Sequence, residues 1–401
     1  MVQSSPVRTL LLLLLPILAL FLTATPGRAF PVSIEDGNVF TEESLVERDW
    51  PHPLSQRDAH TIHSDPNGDT VHVTSLKAPT AATLTSYRVG GGDIPTFRGL
   101  TPTRPRLARR AYIIVHGVKR DGSVYWTRKA GIADDANSIR IAPEFLSTRM
   151  DPKVRTGTRL GWADQDGWSG GDAATAPVNA TANLAAILDY YLDSFSNKAT
   201  YPLLDTVVFV GHGAGAQAVQ RYAVLGKDPS RASLKVRYVV ANPSTNLYFT
   251  IDRPQPVNPA ACPYFNDFRY GLESYDSPYP KTLSDVNLFK RYLSRDVRYL
   301  VGDADTKDDE GDQNCAALAA GGVHRRDRNL DYWAYLHLLS GTGSVPNTST
   351  GTSLYPVSSS EIQATFRTTT FNHQLTVVPR VGHSASKMLG SVQALRAIFG
   401  K

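Results

Sequence analysis

"VFVGHGAGAQ", residues 208–217, decides how the rest of the chain is read. Val208, Phe209 and Val210 continue an apolar run from Thr206, the texture of a strand, and Ala214 opens an alanine-rich stretch, the texture of a helix reaching Gly226. A strand that drops through a tight glycine turn into a helix is the context of a G-x-S-x-G nucleophile elbow. In that motif small flanking residues allow a strained turn that lifts a serine hydroxyl toward substrate. Here Gly211, Ala214 and Gly215 are in place and His212 fills the variable slot. Gly213 stands where the serine would be.

Outward from this stretch the texture repeats. "AYIIVHG" (111–117), "SIRIA" (138–142), "VRYVVAN" (236–242), "VRYLVG" (297–302) and "LTVVPRVG" (375–382) are short continuous apolar runs, most ending in Gly, Asn or Pro. Continuous hydrophobicity marks strands buried on both faces, which need covering helices. Leu184, Ile187, Leu188, Tyr191, Leu192 and Phe195 fall at helical spacing, as do Met388, Leu389, Val392, Leu395 and Phe399. The alternation predicts an α/β fold, a mostly parallel central sheet flanked by helices over 111–401. Ahead of it, residues 30–110 read as an irregular arm and an antiparallel edge hairpin, "TVHVTSL" (70–76) with "LTSYRV" (84–89) closed off by Gly90-Gly91-Gly92. An insertion at 243–296 carries Tyr248, Phe249, Tyr264, Phe265, Phe268, Tyr270, Tyr275 and Tyr279. It is either an aromatic cap over a pocket or an ordinary packed excursion.

Other parts of an acyl-transfer site lie where chain order requires. His116-Gly117 closes a strand, so that the amide of Val118 and the amide of Ala214 are the two candidate oxyanion donors. One strand runs out into Gly302-Asp303-Ala304-Asp305, and His383 follows the last strand. Elbow, acid, histidine is the required order. Each part alone has a plainer reading: a histidine after a strand is an ordinary loop residue, and the acidic loop 302–312 is a solvated loop or a calcium site.

Taken together, the parts resemble the α/β-hydrolase superfamily, and more narrowly a group of secreted fungal and bacterial hydrolase-like proteins. There the elbow reads GHSAGGQ and leads into RYA, the next strand leads into ANPSSY, and an insert carries C-x-x-YN-x-W-x-YGL. The acid strand reads YLLGEADT and the histidine sits in VGHD. The corresponding stretches here are "GHGAGAQAVQRYA", "ANPSTNLYF", "CPYFNDFRYGL", "YLVGDADT" and "VGHSASKM", within roughly 110–400. The resemblance implies that Asp305 is the acid, with Asp303 second, that His383 is the base, and that the nucleophile position is Gly213. A second G-x-S-x-G, "GWSGG" at 167–171, lacks the strand–turn–helix context, and Ser384 would sit beside the base rather than across from it.

The N-terminus has Arg8, an apolar run from Leu10 to Leu22 and Gly27-Arg28-Ala29, a secretory signal peptide over 1–29 with a run too short for a membrane anchor. Its removal takes two arginines and no acids, so the formal charge falls from +5 to +3. The positive charge is scattered, apart from Arg104, Arg106, Arg109 and Arg110, which read as a solvated strand entry or a dibasic processing site, and it makes no case for nucleic acid. Hydrophobic residues at 41% suffice for a large core, and no sequence pattern calls for a metal or cofactor. In an extracellular chain the pair Cys262 and Cys315 reads as a disulfide before it reads as two free thiols, contributing about 3 to 4 kcal/mol. Asn179 and Asn347 head glycosylation sequons.

The functional expectation is a secreted α/β-hydrolase-like pseudoenzyme that binds a small hydrophobic or acyl ligand, or a protein partner. The competing expectation is an active esterase or lipase that uses a displaced nucleophile or general-base chemistry at His383 and Asp305.

Overall fold

The computed structural model describes residues 72–127, 136–164, 167–342 and 360–400. The expected signal peptide, most of the arm, and Asn347 lie outside the described residues. Eight strands form one sheet: β1 (Ala82–Val89), β2 (Gly92–Gly99), β3 (Arg110–Val115), β4 (Ser138–Pro143), β5 (Thr206–His212), β6 (Lys235–Ala241), β7 (Asp296–Gly302) and β8 (Gln374–Val378). Their spatial order is β1-β2-β4-β3-β5-β6-β7-β8. β2 runs antiparallel to both neighbours, and every other adjacent pair is parallel. A separate two-residue pair joins Leu146–Ser147 to Gly161–Trp162.

The helices among the described residues are α1 (Gly122–Thr127), α2 (Gly167–Gly170), α3 (Leu184–Ser196), α4 (Ala214–Leu225), α5 (Asp285–Ser294), α6 (Cys315–Ala319), α7 (Arg325–Ser340), α8 (Ser360–Phe366), α9 (Ala385–Gly390) and α10 (Val392–Phe399). They cover both faces of the sheet, which explains the continuous apolar runs. Ala111, Ile113, Val115, Val207, Phe209, Tyr238 and Val240 face one core with side chains from α3, α4, α5 and α7. The alternate residues Tyr112, Ile114, Val208, Val210, Val239 and Ala241 face a second core with α1, α9 and α10. Full burial of each Val, Ile or Phe contributes roughly 1.5 to 3 kcal/mol, so a polar residue on either face of β3 or β5 would be costly.

Three expectations change. The described part of the 70–76 segment forms no strand, and β1 pairs instead with β2, in register Ala82↔Gly99. Gly90 and Gly91, with φ of +51° and +84°, make the two-residue turn between them. Pro95 concealed β2, because proline usually marks a strand end or edge. The C-terminal helix is two helices, broken at Ser391, whose hydroxyl accepts from Ala394 N–H to start α10. α7, with 16 residues, went unforeseen because its first turn, "RRDR", is charged and hides the apolar spacing that follows.

The insertion is a packed excursion where it leaves β6. Tyr248 lies against Tyr332 and Tyr335 of α7, at ring separations of 5.1 and 4.6 Å, and Phe249 lies against Phe289 of α5 at 5.0 Å. Gln217 and Gln220 of α4 bind it as well, accepting from the Thr245 hydroxyl and the Leu247 amide. Cys262 and Cys315 form a disulfide closing a separation of 53 residues. It fastens the insertion to the start of α6, a constraint of about 4 kcal/mol on the unfolded chain.

Candidate active site

The turn between β5 and α4 is built so tightly that two of its glycines have no alternative. A Cβ on Gly211 would meet the Gly215 carbonyl oxygen at 2.1 Å, and one on Gly215 would meet the carbonyl oxygens of Val115 and His116 at 2.4 Å. The elbow therefore rests directly on the end of β3. Gly213 lies at the apex with φ +61° and ψ −123°, a conformation strained for any L residue. Its Cβ would touch only one neighbour within 4 Å, the His383 ring, with Nε2 at 3.1 Å.

His383 is aimed by the loops that follow β7 and β8. Its Nδ1 lies 3.0 Å from Asp305 Oδ2. A carboxylate only accepts, so Nδ1–H donates, which turns Nε2 toward position 213. Asp305 in turn accepts from Arg325 Nε and Nη2 at 3.1 and 3.0 Å, and Arg325 also holds Glu310 at 2.9 Å. Burial pushes the Asp305 carboxyl up, but the hydrogen bonds and charges of His383 and Arg325 outweigh it and hold the group at about 2. Asn242, at the end of β6, ties the two loops together by accepting from Gly302 N–H at 2.8 Å and donating to the Gly382 carbonyl at 3.3 Å.

Asp305 rather than Asp303 is the carboxylate bonded to His383; the Asp303 carbonyl accepts from Arg326 instead. His212, buried beneath the site, sets its ring 4.6 Å from that of His383, with the Tyr125 hydroxyl 3.4 Å from its Nδ1. Burial first, and the charge of His383 second, drive its pKa well below the usual histidine range, so it is neutral.

Val118 and Ala214 lie on the two segments that the elbow brings together. Among the described residues neither amide N–H donates to a protein acceptor. The loop that carries Val118 is pinned from below by Arg120, wholly buried, which bonds Asp151 at 2.7 Å and the Val118 carbonyl at 2.8 Å. His116 is a fastener: Nε2 accepts from the Phe145 amide, and burial pushes its pKa down to about 3.

The Ser169 carbonyl accepts from Arg221, two turns along α4 from the elbow, and its segment is a single helical turn rather than a strand–turn–helix unit. The Ser384 hydroxyl caps α9 through Lys387 N–H. Asn179 is exposed in a left-handed turn with φ +66°. Three acids of loop 302–312 are engaged: Asp305 and Glu310 with Arg325, and Asp312 with the Tyr270 hydroxyl at 2.7 Å. Among the described residues no three His, Cys, Asp or Glu side chains are grouped to hold a metal, and no helix is long and apolar enough to cross a membrane. Arg325, Arg120 and Asn242 carry no catalytic signature, so sequence reasoning passed over them; Asn242 had a signal in the ANPS resemblance.

No protein-family model and no curated relative matches the chain. Solved structures do match. The poly(3-hydroxybutyrate) depolymerase LpqC of Bordetella parapertussis superimposes with a TM-score of 0.52 at 22% identity, over 81% of this chain and 92% of that one. The poly(aspartic acid) hydrolase-1 of Sphingomonas sp. KT-1 gives a TM-score of 0.51 at 22% identity, over 80% of this chain and 99% of that one. Strand order, flanking helices and these likenesses together define an α/β-hydrolase fold.

Proposed function

We propose that the chain is an extracellular α/β-hydrolase-fold protein that binds an ester or acyl ligand at the His383–Asp305 site and has lost efficient acyl transfer. The observation that carries this reading is the Gly213 apex, where a Cβ would stand 3.1 Å from His383 Nε2 while Nδ1 is bound to Asp305. In this reading Asp305 orients the imidazole, His383 is the base, Val118 and Ala214 amides receive the carbonyl oxygen, and no atom attacks. Loss of a triad serine removes about 10⁶ in turnover, while binding and the oxyanion donors retain roughly 10³ to 10⁴ over water. A residue of that size fits ligand binding, or recognition of a protein partner, better than metabolism.

A fluorophosphonate probe tests it. The purified chain is expected to stay unlabelled, and Gly213→Ser is expected to take label at residue 213. Strong labelling of the native chain would overturn the proposal and, after peptide mapping, locate another nucleophile. The space beside Nε2 that the missing hydroxymethyl leaves open supports one second reading, a water activated directly by His383. Its signature is ester hydrolysis that vanishes in His383→Ala without any labelling of the native chain.

A further inference from the structure

Far from the elbow, between the free edge of the sheet and the end of α3, lies a cavity of about 260 Å³ lined by Tyr87, Arg98, Tyr190, Tyr191, Phe195 and Tyr201, with Asn197 and Thr200 at its polar side. Tyr87 and Arg98 project from β1 and β2 toward α3. The rings of Tyr87, Tyr190 and Tyr191 stand 5.6 to 5.7 Å apart in tilted and edge-on arrangements.

Arg98 sets this cavity apart. Other buried guanidiniums of the molecule are neutralised by carboxylates, as Arg120 is by Asp151 and Arg325 by Asp305 and Glu310, or are ringed by carbonyls, as Arg328 is. Arg98 is half-buried, and its protein partners are phenols: the Tyr87 hydroxyl at 3.1 Å and the Tyr201 hydroxyl. Among the described residues no carboxylate reaches it. A guanidinium has five N–H donors in a planar fork matched to a carboxylate, so two phenols leave donors to spare. The C-terminus of α3 opposes an anion with about half a negative charge, which a full guanidinium charge at closer range outweighs. Around that charge the half-buried Tyr87 and Tyr190 offer flat rings for stacking and Asn197 offers an amide NH₂, its oxygen being already committed to Ala199 and Thr200 N–H.

We infer that this cavity is a second binding site, for a carboxylate borne on a six-membered ring, with Arg98 gripping the acid and Tyr87 and Tyr190 stacking on the ring. An acidic sugar and an aromatic acid share that chemistry. Neither the elbow nor its activity enters the inference.

Calorimetric or saturation-transfer NMR titration of the full chain with galacturonate and with benzoate, against galactose and benzamide, tests it. At least one acid is expected to bind, its neutral counterpart at least tenfold more weakly, and the acid that binds tells the two sources apart. Arg98→Gln, which keeps a donor for Tyr87, is expected to weaken that acid at least tenfold at an unchanged melting temperature. Should the variant fail to fold, raising ionic strength on the native chain replaces it, with weaker binding expected. No binding of either acid, equal binding of the neutral analogues, or binding indifferent to both Arg98→Gln and salt would overturn the inference.

Discussion

The two halves of the candidate site are held to different standards. On the acid–base side the groups hold one another in a chain. His383 answers to Asp305, Asp305 to both His383 and Arg325, Arg325 to Glu310 as well, and Asn242 fastens the two loops that carry them. On the nucleophile side the backbone is equally tight, with Gly211 and Gly215 closed against neighbouring carbonyls, yet the apex residue carries no side chain. The difference separates scaffold from chemistry. Gly211, Gly215 and the Asp305–Arg325 pair belong to folding as much as to catalysis, so their presence says nothing about turnover. The hydroxyl at 213 has no structural duty, which is why its absence is the informative feature.

The largest effect expected from breaking this contrast is kinetic. If the acid–base half is competent and only the attacking atom is missing, Gly213→Ser should raise short-chain ester hydrolysis by at least about a hundredfold, well within the factor of about 10⁶ that a triad serine controls. Adding His383→Ala should abolish the gain. A Gly213→Ser protein that folds, as judged by circular dichroism, yet stays inert would mean that the acid–base half is also incompetent. Serine at φ +61° carries a strain of about 1 to 3 kcal/mol, so this variant should also melt earlier than the native chain.

Next in size is the scaffold's own dependence on charge. Arg325→Met leaves the Asp305 carboxylate buried with one partner fewer, which should cost about 3 to 5 kcal/mol in urea unfolding at neutral pH. A loss under 1 kcal/mol would show the pair to be ornamental and erase the distinction drawn above. The smallest effect is seen with acid. Asp305 titrates at about 2 in the fold against 3.8 for the free side chain, so its ionised form stabilises the native state. That contribution, about 2 kcal/mol, is complete above pH 4 and is lost as pH falls toward 2. The native chain should therefore lose more stability between pH 4 and pH 2 than Arg325→Met does, and parallel curves would contradict the assignment.

Much of this was legible in the sequence. Continuous apolar runs announced a sheet covered on both faces, and the glycine spacing of 211–215 announced the strand–turn–helix, because these features follow from local sterics and periodicity. The edge strand β2 was not legible, since Pro95 contradicts the pattern and only pairing with β1 and β4 makes the segment a strand. Arg325 stayed hidden for a different reason: its meaning depends on a contact across 20 residues that no spacing encodes. The aromatics of the insertion at 248 and 249 were visible as residues, but their use as packing against α5 and α7 required knowing that α7 exists.

The openness of the apex has a further consequence. Of the three glycines in the elbow, the one at 213 is alone in facing a side chain rather than backbone, so a side chain there meets no main-chain clash and costs chiefly the strain of its positive φ. A glycine codon ending in a pyrimidine is a single base away from serine. From such a codon one base change would set a hydroxyl opposite His383 while the fold around it stays as it is.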